Sequence, residues 1–322
     1  MSLALYSNVT SGRAATLAMP ETNQHQQATG KQPTFARVGV MLKPGKDTAV
    51  AAVFAELVAV LEAHRVDWAL DEQNENPLSG KSAPRFSRNR LDRDLIVIIG
   101  GDGTLLNAAR SLCRFDVPIV GVNLGRLGFL TDIGPSELRD HFGAILDGHY
   151  SVDNRFLLEG VLMREDSRVL QGVALNDITF KMQDPARMIE FEMRLDGTLV
   201  NHQRSDGVVV CTPTGSTAYA LSAGGPLIAP ELNAIGIVSI CPHTLSYRPI
   251  VVDAHQTIEI TLKSNSRGGG VVSFDGQLNQ PTLPGDVLKI ARHDHQIQLL
   301  HPPGHDHFSL LRSKLGWSEQ QF

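Results

Sequence analysis

Five consecutive apolar residues, Leu95–Ile99, end without transition in Gly100-Gly101-Asp102-Gly103-Thr104, and helix-forming residues follow. A short, β-branched, uninterrupted run suits a strand buried on both faces of a parallel sheet. Three glycines around one acid let the backbone turn tightly and lie close to a ligand. The helix that the spacing predicts over 104–113 offers unpaired N–H groups and a positive dipole end, a seat for phosphate. Residues 94–106 therefore put one carboxylate, Asp102, beside a phosphate cradle at the C-terminal end of a central strand, where open α/β sheets bind ligands. G-G-D-G-T between a full strand and a helix is far more specific than a lone G-D-G.

The flanking segments extend the same pattern. Residues 36–41 read as a first strand, Asp47 as the N-cap of a helix reaching about His64, and 66–70 as a second short strand. A loop with Lys81, Arg85, Arg88, Arg90 and Arg93 reads as a solvated basic segment. Its Gly80-Lys81-Ser82 looks like the tail of a P-loop, but position 75 is Glu where that motif needs Gly. Residues 118–123 form the next strand. Gly125-Arg-Leu-Gly128-Phe129-Leu-Thr-Asp132 is a second glycine-bearing loop, and Leu138, Phe142, Ile145 and Leu146 give the following helix its apolar face. Strands alternating with helices imply a parallel sheet.

The character changes near Tyr150. Ten strand-like runs follow one another: 156–163, 169–174, 188–195, 208–211, 235–240, 250–252, 257–262, 271–274, 287–290 and 297–300. Asp196-Gly197 is a hairpin signal and 265–270 a loop. The expected architecture is an α/β N-terminal domain with a parallel sheet and a G-G-D-G loop, plus a β-rich, sandwich-like C-terminal domain. The expected boundaries are a flexible tail at 1–34, the α/β domain at 35–150, the β-rich domain at 151–300, and a segment 301–322 that joins the first domain, with a short helix over 308–317.

A second constellation lies in the β-rich half. Arg204-Ser-Asp206-Gly207 leads into an apolar strand, then Thr212-Pro-Thr214-Gly-Ser-Thr217-Ala218-Tyr219, then Ser222. The hydroxyls and glycines suit sugar hydroxyls and phosphate oxygens, and Tyr219 can stack on a base or hold a ribose hydroxyl. G-x-G-x-x-G fails because position 106 is Leu, and no G-x-S-x-G elbow occurs, which removes the warrants for a dehydrogenase and for a serine hydrolase. His293-Asp294-His295, His301 and His305-Asp306-His307 sit among turn residues, so no protein-held metal site is expected. The net charge of −5 gives no reason to expect nucleic acid, and no apolar run has membrane-spanning length. Three scattered cysteines and no secretory leader pattern point to a reducing, cytoplasmic setting.

Gly100–Thr104, 121–132, Asn176-Asp177, 212–219 and 242–249 together resemble the NAD kinase family of the bacterial type, in the right order, over about residues 36 to 300. The glycine-acid motif alone is shared with lipid kinases of the diacylglycerol and sphingosine type; T-P-T-G-S-T-A-Y is what separates the families. The resemblance implies transfer of phosphate from ATP to the adenosine-ribose 2′-hydroxyl of NAD, with a divalent cation, Mg²⁺, carried with ATP, in a homo-oligomer (dimer or tetramer). It implies that Asp102 is the general base, with Gly103 packed beside it and Phe129 lining the pocket. By the same resemblance Asn176 and Asp177 contact the adenosine, and Thr214, Thr217, Ala218, Tyr219 and Ser222 hold NAD. Asp206 reaches NAD in the same or an adjacent subunit, and Asp275 lies near the substrate; Arg204, two residues before Asp206, is a further candidate substrate-binding residue. The family usually has Glu where this chain has Asp177, one methylene shorter. The competing readings are a lipid kinase and a catalytically silent nucleotide sensor. ATP against polyphosphate, and NAD against NADH, stay open.

Overall fold

The computed structural model describes residues 34–78, 82–184, 188–244, 246–263 and 269–317. The expected tail at 1–34 (but for residue 34), the P-loop-like Gly80-Lys81 and most of the loop at 265–270 lie outside the described residues.

The N-terminal half alternates as its periodicity predicts. Strand β1 (Arg37–Leu42), helix α1 (Thr48–Ala63), β2 (Asp67–Asp71), the two-residue β3 (Arg85–Phe86), β4 (Leu95–Ile99), α2 (Asp102–Leu112), β5 (Ile119–Val122) and α3 (Leu138–Leu146) follow in order. The Asp47 carboxylate caps α1 by accepting from the Ala49 N–H at 3.0 Å. The strands run parallel in the order β5-β4-β1-β2-β3. Every side chain of β4 is fully buried because the strand has a core on each face. Leu95, Val97 and Ile99 pack with α1 and α3, while Ile96 and Ile98 pack with Leu105, Ala109 and Leu112 of α2. Each such side chain contributes about 1.5–3 kcal/mol on burial, so the strand that delivers the glycine turn is firmly seated.

The remainder is β6 (Ser151–Arg164), β7 (Ser167–Ala174), β8 (Asp177–Met182), β9 (Ile189–Leu195), β10 (Thr198–Ser205), β11 (Gly207–Cys211), the one-turn α4 (Tyr219–Ser222), β12 (Ala234–Ile240), β13 (Ile250–Asp253), β14 (Ile258–Leu262), β15 (Gly270–Phe274), β16 (Leu278–Pro281), β17 (Val287–His301) and α5 (His307–Leu315). A six-stranded antiparallel sheet, β13-β12-β11-β8-β15-β16, stacks on the antiparallel part of the other sheet. Phe180, Phe191, Phe274, Leu158 and Leu162 fill the space between. This is the sandwich-like domain that the strand runs predict.

Two features differ from the expectation. The runs at 287–290 and 297–300 are one strand, β17, whose pairing with β6 slips between Arg292 and Gln296; His293-Asp294-His295 is the bulge, not a turn. Because β17 continues, its far end pairs in parallel with β5, Leu299 opposite Ile119. One eleven-stranded sheet thus passes through both domains. In addition, β8, β10 and β16 are strands that the expected runs left out, although D-I-T-F-K-M of β8 does alternate polar and apolar residues.

Candidate active site

Asp102 is the first residue of α2, two residues earlier than the predicted helix start, and Gly101 is its N-cap with no side-chain cap. The Asp102 carboxylate faces the second glycine loop. It accepts the Phe129 N–H at 2.9 Å, the Leu130 N–H at 3.0 Å and the Thr131 hydroxyl at 3.3 Å. Gly128 makes this approach possible: a Cβ there would lie 2.1 Å from Asp102 Oδ1 and 2.4 Å from Thr131 Oγ1. Gly101, in contrast, faces open space, so its backbone is free to approach a ligand.

Helix α2 is tied to the other domain by three hydrogen bonds. The Gly103 carbonyl accepts from Gln277 Nε2 at 2.8 Å, and Arg110 Nη1 meets Asp275 Oδ2 at 2.8 Å while its Nη2 donates to Gln277 Oε1. The Asp275 side chain is fully buried. It also accepts the backbone N–H groups of Leu175, Asn176 and Asp177 at 2.8–3.2 Å. Four donors thus surround a carboxylate at a left-handed turn, φ 50°. Asp275 is among the residues that line the candidate pocket, and its carboxylate holds the 175–177 turn in place.

That turn opens a pocket lined by Asn176, Asp177, Thr179, Lys181, Ala218, Tyr219, Ser273, Asp275 and Gly276. Two of its polar atoms, Asn176 Oδ1 and Ser273 Oγ, are buried without a hydrogen-bond partner. Unpaired buried polar atoms cost about 1–3 kcal/mol each, a cost that a ligand's own polar groups remove. Burial pushes the Asp177 carboxyl up to about 7, and the neighbouring Asp275 charge adds to the rise. The Tyr219 phenol is raised too, by burial first and then by Cys241, Asp177 and Asp206, which brings Asp206 into the electrostatic surroundings of this pocket.

The hydroxyl-rich segment is folded by its own hydrogen bonds. Thr212 Oγ1 donates to the Leu175 carbonyl at 2.6 Å, Ser216 Oγ to the Pro213 carbonyl at 2.7 Å and Thr217 Oγ1 to the Thr214 carbonyl at 3.1 Å. Thr214 Oγ1 accepts from Arg155 Nη1 at 2.9 Å. These hydroxyls fold the turn, and the turn presents Ala218 and Tyr219 to the pocket. A Cβ at Gly215 would lie 2.0 Å from the Asn176 carbonyl oxygen, so the two motifs interlock only through glycine. Ser222 is exposed and stands outside the pocket lining. Arg204 lines a neighbouring hollow with Glu190, His202, His243, Tyr247 and Lys263. Phe129 flanks Asp102 through its backbone, and its ring carries the Lys314 ammonium of α5 at 5.8 Å. Of the basic loop, Arg88 is not solvated: it pairs with the fully buried Asp71.

The sequence profile of the ATP-NAD kinase N-terminal domain matches residues 38–150, and that of the ATP-NAD kinase C-terminal domain residues 175–301. An NAD kinase of Chromohalobacter salexigens is 44% identical over 288 residues, 89% of this chain and 98% of that protein. The chain belongs to the ATP-NAD kinase family. An NAD kinase of Nitrosococcus oceani is 43% identical over the same shares. Among solved structures, a yeast NADH kinase complexed with NADH matches with a TM-score of 0.78 and 25% identity, covering 90% of this chain and 89% of that one. An NAD kinase from Archaeoglobus fulgidus in complex with ATP gives 0.67 and 28%, over 87% and 98%. As a member of the ATP-NAD kinase family the chain is an ATP-dependent kinase acting on NAD, and the lipid-kinase and sensor readings fall away.

Thr179, Lys181 and Ser273 escaped the sequence reading. Their signal is period two: Asp177, Thr179 and Lys181 share one face of β8, and β15 pairs with β8 so that Ser273 stands opposite Thr179.

Proposed function

We propose that this chain transfers the γ-phosphoryl group of ATP to the adenosine-ribose 2′-hydroxyl of NAD, with Asp102 as the general base and NAD in the pocket of Asn176, Asp177, Ala218 and Tyr219. The observation that carries this reading is the junction at α2: the helix whose first residue is Asp102 is bonded, through Gly103 and Arg110, to the hairpin that borders the pocket. A ribose hydroxyl is a weak nucleophile, so in-line positioning, charge neutralisation and a proton acceptor are all needed. A carboxylate has about four lone-pair sites; the second loop occupies three on Asp102, and the fourth is left for the hydroxyl. The 2′-oxygen forms its bond to the γ-phosphorus as the bridging bond to the β-phosphate breaks, and the proton passes to Asp102. The open backbone at Gly101 and the head of α2 favour the triphosphate. A divalent cation, Mg²⁺ in this reading, enters as the ATP complex and neutralises phosphate charge. The donor set fits that assignment, since the Asp102 oxygens are engaged by N–H and O–H donors.

Asn176 Oδ1 and Ser273 Oγ are suited to polar groups of the adenosine, and Asp206 and Arg204 to the far end of NAD. We further infer a homo-oligomer, a dimer or tetramer. The support is apolar exposure on edge strands: Leu199 and Val200 on β10, and Val251 on β13, are 37–49% exposed. No helix among the described residues is long and apolar enough to cross a membrane, and the three cysteines are free, which favours a reducing, cytoplasmic setting. Incubation of the purified protein with NAD, ATP and Mg²⁺, read as NADP formed, tests the activity. A persistent blank overturns it, and repeats with NADH and with polyphosphate assign acceptor and donor.

A further inference from the structure

The end of β17 and the segment after it carry a cluster that the kinase chemistry does not use. His301 Nδ1 and His305 Nδ1 each lie 2.8 Å from the same atom, Asp132 Oδ2. The two imidazoles are stacked, with centroids 3.8 Å apart and planes 12° from parallel. The His301 and Asp132 side chains are 4% and 9% exposed and that of His305 is 16%, so the group is enclosed with one side toward solvent. The reading of these histidines as members of exposed turns is therefore wrong for His301, which ends a buried strand.

We propose that Asp132, His301 and His305 form a binding site for a divalent transition metal of the zinc class, distinct from the nucleotide pocket. The three candidate ligand atoms all lie within 4.8 Å of one another. Bonds of about 2.0–2.1 Å to a tetrahedral ion separate its ligands by about 3.3 Å, so each 2.8 Å contact opens by about half an ångström to admit the metal. Two imidazoles and one carboxylate with an open fourth position are the donors that zinc takes, whereas Mg²⁺ and Ca²⁺ prefer all-oxygen shells. A second observation sits behind the His301 ring. Its Nε2 is buried without a hydrogen-bond partner, and the Asp153 carboxylate stands 3.5 Å away. A histidine that ligates through one nitrogen characteristically gives the other N–H to a carboxylate, which fixes the tautomer. Displacement of the ring by an incoming metal lets that bond form.

The site joins distant parts of the chain. Asp132 ends the loop whose Phe129, Leu130 and Thr131 hold Asp102. Asp153 is held by Arg155, whose other arm donates to Thr214 Oγ1 in the segment that presents Tyr219. A bound ion thus fastens the last strand to the loop that orients Asp102. The inference rests on the cluster's geometry and stands whether or not the residue roles in the kinase reaction hold.

The test uses the full chain, stripped with chelator and titrated with Co²⁺ in the absence of nucleotide. The expected result is one equivalent giving the intense visible absorption of a four-coordinate ion, displaced by Zn²⁺, with a raised unfolding midpoint when either metal is bound. His305→Gln, at the solvent side, is expected to abolish the absorption, and Asp153→Asn to weaken affinity about 10–100-fold. A His293→Gln/His295→Gln double variant controls for the bulge pair and is expected to bind as wild type. No four-coordinate spectrum in the wild type, its persistence in His305→Gln, or its loss in the bulge variant overturns the proposal.

Discussion

The Asp102 carboxylate accepts the backbone N–H of Phe129 at 2.9 Å, so the acid of the first glycine loop is held by the backbone of the second. A side chain positioned by main-chain donors has little freedom to turn away. The general-base role therefore predicts that Asp102→Asn lowers kcat by about 10²–10⁴-fold while NAD still binds. Steady-state kinetics beside calorimetric NAD titration checks this, and near-wild-type turnover excludes the role.

Gly128→Ala tests the same contact without touching the carboxyl group. The added methyl group falls 2.1 Å from Asp102 Oδ1, so the carboxylate or the loop must move. A shift of about 1 Å at a reacting group costs roughly 10²-fold. The expected outcome is a kcat lowered by about that factor in a protein whose far-UV circular dichroism is unchanged.

Arg110→Met leaves Asp275 as a buried charge without its cation. Removing one partner of a buried pair costs about 3–5 kcal/mol. Adding Asp275→Asn should recover part of the loss, because the charge goes while an oxygen remains for the 175–177 N–H groups. Urea unfolding of the two single variants and the double variant gives the coupling.

Asp177 supplies a pH dependence. Its carboxyl is raised from the ordinary carboxylate value to about 7 in the folded chain. An acid raised on folding disfavours the native state once it ionises. Its unfavourable contribution is absent below about pH 4, grows as pH rises, and is complete above the folded value. Asp177→Asn is therefore expected to unfold at a higher temperature than wild type at pH 8, with the gap closing toward pH 4. Thermal melts of the ligand-free protein across that range read it, and a gap that widens on acidification contradicts the assignment.

The chain's local chemistry was enough to set β4, the glycine turn and Asp102, because each rests on short-range rules: an uninterrupted β-branched run, glycine's freedom, and the open N–H groups of a helix start. Motif order then set the family. The T-P-T-G-S-T hydroxyls were legible as a motif but not as turn scaffolding, since their partners, the carbonyls of Leu175, Pro213 and Thr214, are fixed only when the turn closes.

Tertiary structure alone decided the rest. Composition does not reveal that β17 runs unbroken past its His293-Asp294-His295 bulge into the parallel sheet, because the pairing with β6 that carries it across is made between residues more than a hundred positions apart. Nor does it reveal that Asp275 serves Arg110 and the 175–177 backbone, or that Asp132 meets two imidazoles 169 and 173 positions later. A residue's type states what bonds it can make. Which bonds it does make depends on what long-range strand pairing brings beside it.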